Sequence, residues 1–96
     1  MKLFMTNTQL QKVSSNLQKA FLKLKTSKQV FNFLRDLLTE DEIIEFSLRL
    51  EIATRLYKGQ NYKEIEKSTG ASSTTIARVA KFLKGEFGGY KNILKD

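Results

Sequence analysis

Apolar residues recur at helical spacing through the first quarter of the chain. Between Thr6 and Lys25 the apolar positions lie three or four residues apart. This spacing predicts one amphipathic helix with a narrow apolar stripe, close to a coiled-coil seam. Because a lone helix of this kind is marginally stable in water, the stripe needs a partner, either the rest of this chain or a second copy. The stripe consists of Leu10, Val13, Leu17, Phe21 and Leu24.

Two more helices are predicted before Gly59. Thr26 supplies a cap for the second helix, whose apolar face ends at Leu38. The third helix has the clearest start signal in the chain, because Glu42 follows Thr39 by three residues and the two form a capping box. Gly59 is a natural residue to end this helix. Apolar side chains cover most of its circumference, which predicts a central buried helix.

Residues 61–84 predict two short helices around a tight turn. Asn61 can cap the first helix, and Gly70 allows the left-handed backbone that ends it. Ser72 can cap the second helix. Small and apolar residues are spaced to close one helix on the other, which is the helix-turn-helix pattern. These residues are Ile65, Ala71, Ile76 and Val79.

The second of these helices has the residue types that DNA recognition needs. Hydroxyl side chains and free N–H groups at a helix start suit phosphates, and short side chains allow close approach to base edges. Glu66 departs from the pattern, because it lies where the two helices cross. Its carboxylate must extend outward or pair with a basic side chain. We expect the major groove to be contacted by Ser72, Ser73, Thr74, Thr75 and Ala77. We expect phosphates to be held by Lys63, Lys67, Arg78 and Lys81.

The charge distribution favours a polyanionic partner. Seventeen basic and ten acidic residues give a net charge of +7. Residues 1–38 carry +6, residues 39–57 carry −3 and residues 61–84 carry +3, while residues 68–85 contain no acid. Many small domains are this basic for solubility, so charge by itself is a weak argument. Its concentration on the second helix of the motif makes nucleic acid the first candidate.

Composition argues against catalysis and against a membrane. The chain has no Cys and no His, which removes thiolate chemistry, the commonest general base and the commonest metal ligand. We therefore expect no enzyme, no metal site and no cofactor. No apolar run approaches the roughly 18 residues of a membrane span, and the N-terminus lacks the apolar core of a signal peptide. These features predict a cytoplasmic protein.

Short motifs between residues 28 and 95 resemble a known family. The most specific are the turn Thr69-Gly70-Ala71-Ser72 and the C-terminal Gly88-Gly89-Tyr90. The others are Leu37-Leu38-Thr39, Leu48-Arg49-Leu50-Glu51-Ile52-Ala53, Gly59, Tyr62, Glu64-Ile65, Thr75-Ile76 and Arg78-Val79. Together they are similar to the Trp-repressor superfamily, in particular its YerC/YecD branch of TrpR-related proteins. The resemblance implies an all-α fold of about six helices, an intertwined homodimer and a bacterial DNA-binding regulator.

The expected organisation is a single Trp-repressor-like domain over residues 1–96. Within it, residues 1–27 form the N-terminal dimerisation helix and residues 28–58 the core helices. Residues 61–84 form the helix-turn-helix and residues 85–96 the C-terminal helix. The dimer would bury both the N-terminal apolar stripe and the apolar surface of the central helix between chains.

The resemblance also raises the question of an effector. Trp repressor holds tryptophan between two arginines, and two arginines of this chain fall at matching positions. Val79 and Phe82, however, stand where the repressor has Gly and Ser, and both would fill the indole pocket. We therefore expect no tryptophan corepressor, with Arg49 paired to a nearby acid such as Glu45 and Arg78 facing phosphate. The residues at the effector positions are Thr39, Arg49 and Arg78.

The predicted function is a homodimeric, sequence-specific regulator of transcription that binds double-stranded DNA, with repression as the expected mode. Two alternatives use the same helices. The motif could bind RNA, which requires a loop because an A-form major groove is too narrow for a helix. The chain could also be a helical adaptor whose motif binds protein. Footprinting on DNA in the presence of competitor RNA distinguishes DNA binding from RNA binding. A pull-down from lysate after nuclease treatment distinguishes the protein-binding adaptor from both.

Overall fold

A computed structural model describes residues 4–95 of the chain, so that the predicted ranges 1–27 and 85–96 extend beyond it by residues 1–3 and 96. Seven α-helices and no strand lie in this part of the chain, which confirms the all-α prediction. None of these helices is both long and apolar enough to cross a bilayer. In chain order they are α1 (Asn7–Val13), α2 (Ser15–Leu22), α3 (Ser27–Leu37), α4 (Glu40–Tyr57), α5 (Tyr62–Thr69), α6 (Ser73–Leu83) and α7 (Gly89–Leu94).

Two compact units make up the chain. The N-terminal unit, Met1–Leu38, contains α1 to α3, and the C-terminal unit, Thr39–Asp96, contains α4 to α7. The boundary lies just before the capping box of α4. The helix-turn-helix predicted for residues 61–84 falls wholly within the C-terminal unit, where α5 and α6 form it.

The first predicted helix is interrupted at Ser14, which gives seven helices rather than six. The Ser14 hydroxyl donates to the Leu10 carbonyl at 2.7 Å. The Gln18 side-chain amide donates to the Gln11 carbonyl at 3.2 Å and to the Ser14 hydroxyl at 2.9 Å. Side-chain donors that occupy helix carbonyls compete with the backbone ladder and bend or break the helix. The single helix predicted between Thr6 and Lys25 is therefore wrong at this one point.

The N-terminal unit leaves its apolar stripe uncovered in the single chain. The rings of Phe21 and Phe33 meet edge to face, with centroids 5.3 Å apart. No residue of α1, α2 or α3 is buried. The large apolar residues that remain exposed on these helices include Leu10, Val13, Leu17, Phe21 and Phe31.

The core of the molecule lies in the C-terminal unit. Ile52 and Ala53 of α4 are buried against Ile65 of α5 and against Ile76 and Val79 of α6. Partly buried side chains pack around this cluster, and α7 adds two of them. Burial of these apolar residues provides the main force that holds α5 and α6 together. The surrounding side chains are Leu48, Leu56, Ala71, Tyr90 and Leu94.

The central helix is less buried than its sequence predicts. In α4, Ile52 and Ala53 are the buried residues. Ile44, Phe46 and Leu50 remain exposed in the single chain. The prediction of a buried central helix is therefore wrong for the chain by itself, because the core of the unit forms around one part of α4 and leaves its other apolar side chains outside.

Candidate nucleic-acid interface

The helix-turn-helix begins and ends at the residues that its sequence predicts. Asn61 caps α5 through its side-chain oxygen, which accepts from the Glu64 N–H at 2.9 Å. Gly70 ends α5 in the left-handed region at φ 74°, where a residue with a Cβ is strained. The Thr69 hydroxyl donates to the Ile65 carbonyl at 2.7 Å and accepts from the Ala71 N–H at 3.2 Å. The Thr69 side chain thus provides a hydrogen-bond partner for the Ala71 N–H within the turn.

The core decides which side of α6 faces outward. At about 100° per residue, the buried residues of α6 lie together on one side of the helix. They are Ile76, Val79, Ala80 and Leu83. The opposite side therefore faces outward along the whole length of α6. The exposed residues on it include Thr74, Ala77, Arg78 and Lys81, while Ser73 is exposed because it begins the helix.

The hydroxyl residues at the start of α6 separate into two pairs. Ser72 caps the helix, because its hydroxyl accepts from the Thr75 N–H at 3.2 Å, and the two hydroxyl oxygens lie 3.1 Å apart. Thr75 is half-buried, whereas Ser72 is exposed. Ser73 and Thr74 are exposed, and no hydrogen bond uses their side chains within residues 4–95. The structure therefore presents Ser73 and Thr74 more openly than Ser72 and Thr75.

Both helices of the motif carry exposed basic side chains. Lys63 and Lys67 are exposed and lie four residues apart, so they share one face of α5. Arg78 and Lys81 are exposed on α6. All nine predicted interface residues lie in the C-terminal unit, and eight of them are exposed; Thr75 is the exception. Glu66 is half-exposed and forms no ion pair within residues 4–95.

Arg78 lies above an aromatic ring of its own helix. Its guanidinium carbon is 5.3 Å from the ring centroid of Phe82. Phe82 is 39% exposed, whereas Val79 is 2% exposed and belongs to the core. The sequence assigned Phe82 to a pocket and missed this contact. The signal for it was present, because Arg and Phe four residues apart meet on a helix surface.

The three candidate effector residues are each engaged on their own helix. Arg49 donates to a Glu45 carboxylate oxygen at 2.7 Å, so the expected pairing with Glu45 is present. The Arg49 guanidinium carbon also lies 5.6 Å from the Phe46 ring centroid. The Thr39 hydroxyl accepts from the Glu42 N–H at 3.1 Å. Within residues 4–95, no hydrogen bond or ion pair joins any two of Thr39, Arg49 and Arg78.

The capping box at Thr39 also affects a carboxyl group. The Thr39 N–H donates to a Glu42 carboxylate oxygen at 2.9 Å. This backbone hydrogen bond, with a smaller contribution from the Thr39 side chain, lowers the pKa of Glu42 below its ordinary value, while desolvation opposes the shift. Thr39 therefore serves the start of α4, which is a structural role.

Two short helices fixed by a shared core, with an acid-free second helix whose outer side is exposed, place this protein in the helix-turn-helix class. The family model described as Trp repressor protein matches residues 5–96. The chain therefore belongs to the Trp repressor protein family, as its motifs indicated.

Individual relatives agree with this assignment. The uncharacterized protein YerC of Bacillus subtilis (strain 168) is 42% identical over 64 residues, which are 67% of this chain and 62% of that protein. The aligned part of the chain thus spans less than two thirds of the length of this curated relative. The similarity confirms the resemblance to the YerC branch.

Solved structures extend the similarity to almost the whole chain. A candidate Trp repressor from Staphylococcus aureus is 34% identical with a TM-score of 0.84, covering 95% of this chain and 92% of that one. A TrpR-like protein from Eubacterium eligens ATCC 27750 is 33% identical with a TM-score of 0.84, covering 94% and 93%. The helical fold is therefore shared with both.

Proposed function

We propose that this protein is a cytoplasmic, homodimeric regulator of transcription that binds double-stranded DNA sequence-specifically through α5 and α6, without catalysis or a cofactor. Repression is the mode we propose. The observation that carries the proposal is the outward side of α6, where Thr74, Ala77, Arg78 and Lys81 are exposed together, with Ser73 exposed at the first residue of the helix. Membership of the Trp repressor protein family supports the regulatory role.

The proposed contacts follow from the chemistry of DNA. An α-helix fits the major groove, where each base pair presents its own pattern of donors, acceptors and methyl groups. Ser73 and Thr74 are short enough for α6 to approach the base edges. Lys63, Lys67 and Lys81 hold phosphates, which fixes the position of the motif without reading sequence. The acid-free stretch between residues 68 and 85 leaves no carboxylate on α6 to repel the DNA.

Dimerisation is proposed from uncovered apolar surface. The N-terminal unit exposes Leu10, Val13 and Leu17, and the C-terminal unit exposes Ile44 and Phe46. Apolar side chains in these numbers are typical of a contact surface rather than of a monomer. A second copy supplies the same surface by symmetry, and the family resemblance implies an intertwined pair. Two recognition helices would then contact two half-sites about one helical turn apart.

DNA binding is proposed to need no tryptophan. The Glu45 carboxylate already occupies the Arg49 guanidinium, 2.7 Å away. An effector carboxylate would compete with Glu45 for this guanidinium. The space that Val79 fills in the core is likewise closed to a ligand.

Selection from a random DNA library, followed by footprinting of the selected site, tests the function. We expect a near-palindromic site that is protected by the protein at nanomolar to micromolar concentration. An excess of unrelated RNA should not remove the protection. Enrichment of RNA stem-loops instead of duplex DNA would favour the RNA-binding alternative. If no nucleic acid is enriched, and a defined protein co-purifies after nuclease treatment, the adaptor is favoured.

A further inference from the structure

The three arginines of the C-terminal unit differ in what holds their guanidinium groups. Arg49 pairs with Glu45 at 2.7 Å, and Arg55 pairs with Glu51 at 2.8 Å. Both partners are carboxylates four residues earlier on the same helix. Arg78 has Thr74 at that position, and its neighbour four residues later is Phe82.

Phe82 restrains Arg78 without neutralising it. The guanidinium carbon lies 5.3 Å from the ring centroid, within the distance of a cation–π contact. A carboxylate partner would cancel the positive charge and occupy guanidinium donors, whereas a ring does neither. Within residues 4–95, no hydrogen bond or ion pair uses the Arg78 guanidinium. Its full charge and its N–H donors remain available to an anion.

The position of Phe82 is not explained by the core. Its neighbours Val79, Ala80 and Leu83 are buried, but Phe82 is 39% exposed. It lies on the side of α6 that carries Arg78, among residues that are otherwise polar or small. A large apolar ring on such a surface is costly for solubility. Its contact with Arg78 gives it a role there.

We propose that Phe82 is a positioning residue for DNA binding, which holds the Arg78 guanidinium ready to contact a DNA phosphate. This inference rests on the proposed function. A free arginine side chain has many rotamers, and part of this rotamer entropy is lost when it binds. Stacking on the ring restricts the side chain before DNA arrives, so less affinity is lost on binding.

The proposal predicts coupling between the two residues. Phe82→Leu keeps an apolar side chain but removes the ring, and should weaken binding of the full chain to a mixed-sequence DNA duplex about two- to fivefold, the range expected for an exposed cation–π contact. Phe82→Tyr keeps the ring and should bind as the wild type does. In an Arg78→Ala background, Phe82→Leu should cause no further loss.

Salt dependence separates the roles of the two side chains. Arg78→Ala should lower the slope of log K against log[salt] by about 1.8 for the dimer, because one phosphate contact is lost in each of its two chains. Phe82→Leu should reduce affinity while the slope stays near that of the wild type. Phe87→Leu replaces another exposed aromatic residue outside the interface and is the matched control. Circular dichroism checks that every variant is folded.

NMR of the protein without DNA tests whether the Arg78 side chain contacts the Phe82 ring before binding. Aromatic ring currents should shift the NMR signals of the Arg78 side-chain protons in the wild type and in Phe82→Tyr, and the shift should be lost in Phe82→Leu. An equal loss of affinity from Phe82→Leu with and without Arg78 would overturn the positioning role, as would unchanged affinity despite the lost NMR shift. Failure of the wild type to bind duplex DNA would instead reject the proposed function, and this inference with it.

Discussion

Single polar side chains accept hydrogen bonds from backbone N–H groups at the start of most helices within residues 4–95. Thr26, Thr39, Asn61 and Ser72 each accept from the N–H three residues later. Each bond satisfies one of the donors that the first turn of a helix leaves free. Because this interaction depends on residues close in sequence, these caps were recognisable before any tertiary structure was known.

The charge of Glu42 should make the stability of α4 dependent on pH. Its pKa is lowered in the folded protein, so its contribution is full above the ordinary Glu pKa of 4.5 and is lost as pH falls through the lowered folded value. Glu42→Gln should therefore be less stable than the wild type at neutral pH, and the difference should shrink on acidification. Urea unfolding from pH 7 to pH 3 measures it. Glu86→Gln, between α6 and α7, is the control, and a difference that grows in acid would contradict the assignment.

Substitutions at Lys63 and Thr74 should distinguish phosphate binding from the reading of base sequence. Lys63→Ala should weaken selected and random DNA about equally and lower the salt slope of the dimer by about 1.8, which is about 0.9 for each chain. Thr74→Ala should weaken binding to the selected site more than binding to random DNA, because it removes a side chain that is proposed to contact bases. Fluorescence anisotropy over a salt series gives both quantities. Lys91→Ala, an exposed lysine of α7, is the control. Equal behaviour of the two interface variants would contradict the division of roles.

The geometry between α5 and α6 depends on the turn that joins them. Gly70 has a positive φ, and a Cβ added there would meet no atom within 4 Å. Backbone conformation, rather than crowding, therefore favours glycine at this position. The conformation of this turn therefore determines how Ile65 and Ile76 meet in the core.

Gly70→Ala should lower the free energy of unfolding by about 1–2 kcal/mol, which is the cost of the left-handed conformation for a residue with a Cβ. Thermal or urea unfolding measures it. Gly89→Ala is the matched control, because Gly89 lies in α7, its φ is not positive, and its Cβ would also meet no atom within 4 Å. Equal stability of the Gly70 variant and the wild type would show that the turn is not constrained.

At the scale of the whole molecule, the uncovered apolar side chains require an explanation. Both compact units expose them, and the N-terminal unit buries no residue in α1, α2 or α3. A chain of about this size is marginally stable even with a complete core. We therefore expect folding and association to be linked.

Leu17→Asp should weaken dimerisation by about 100-fold or more, because an unpaired charge in an apolar interface costs several kcal/mol. If the protein were a monomer, Leu17→Asp would lower its stability only mildly, because Leu17 is 40% exposed in the single chain. Sedimentation equilibrium and thermal unfolding at several concentrations distinguish the two cases. Asn16→Asp adds the same charge at the neighbouring exposed residue and is the control. A folded wild-type monomer at micromolar concentration would reject the dimer.

Tryptophan should not bind more tightly than about millimolar. Arg49 is paired with Glu45, and Val79 is packed in the core. Isothermal titration calorimetry with L-tryptophan tests this, with Glu45→Gln as a variant that frees Arg49. A micromolar dissociation constant for the wild type, or DNA affinity that rises tenfold with the amino acid, would show that the site can still open.

Local sequence determined the helix starts, the glycine turn and the helix-turn-helix, because caps and positive-φ positions depend on residues a few places apart. It also carried the family motifs and most of the candidate interface, since Lys63, Lys67 and Arg78 are exposed as expected. The break at Ser14 was missed, because spacing records apolar positions and not the side-chain hydrogen bonds that compete with the helix backbone.

Tertiary structure decided which side of each helix is covered. The spacing of α4 predicted burial over most of its circumference, but the core formed around Ile52 and Ala53. The same core places Val79 inside and leaves Phe82 at the surface, where its ring meets Arg78 rather than filling a pocket. Burial depends on which other helices pack against a residue, and those helices lie far away in the sequence.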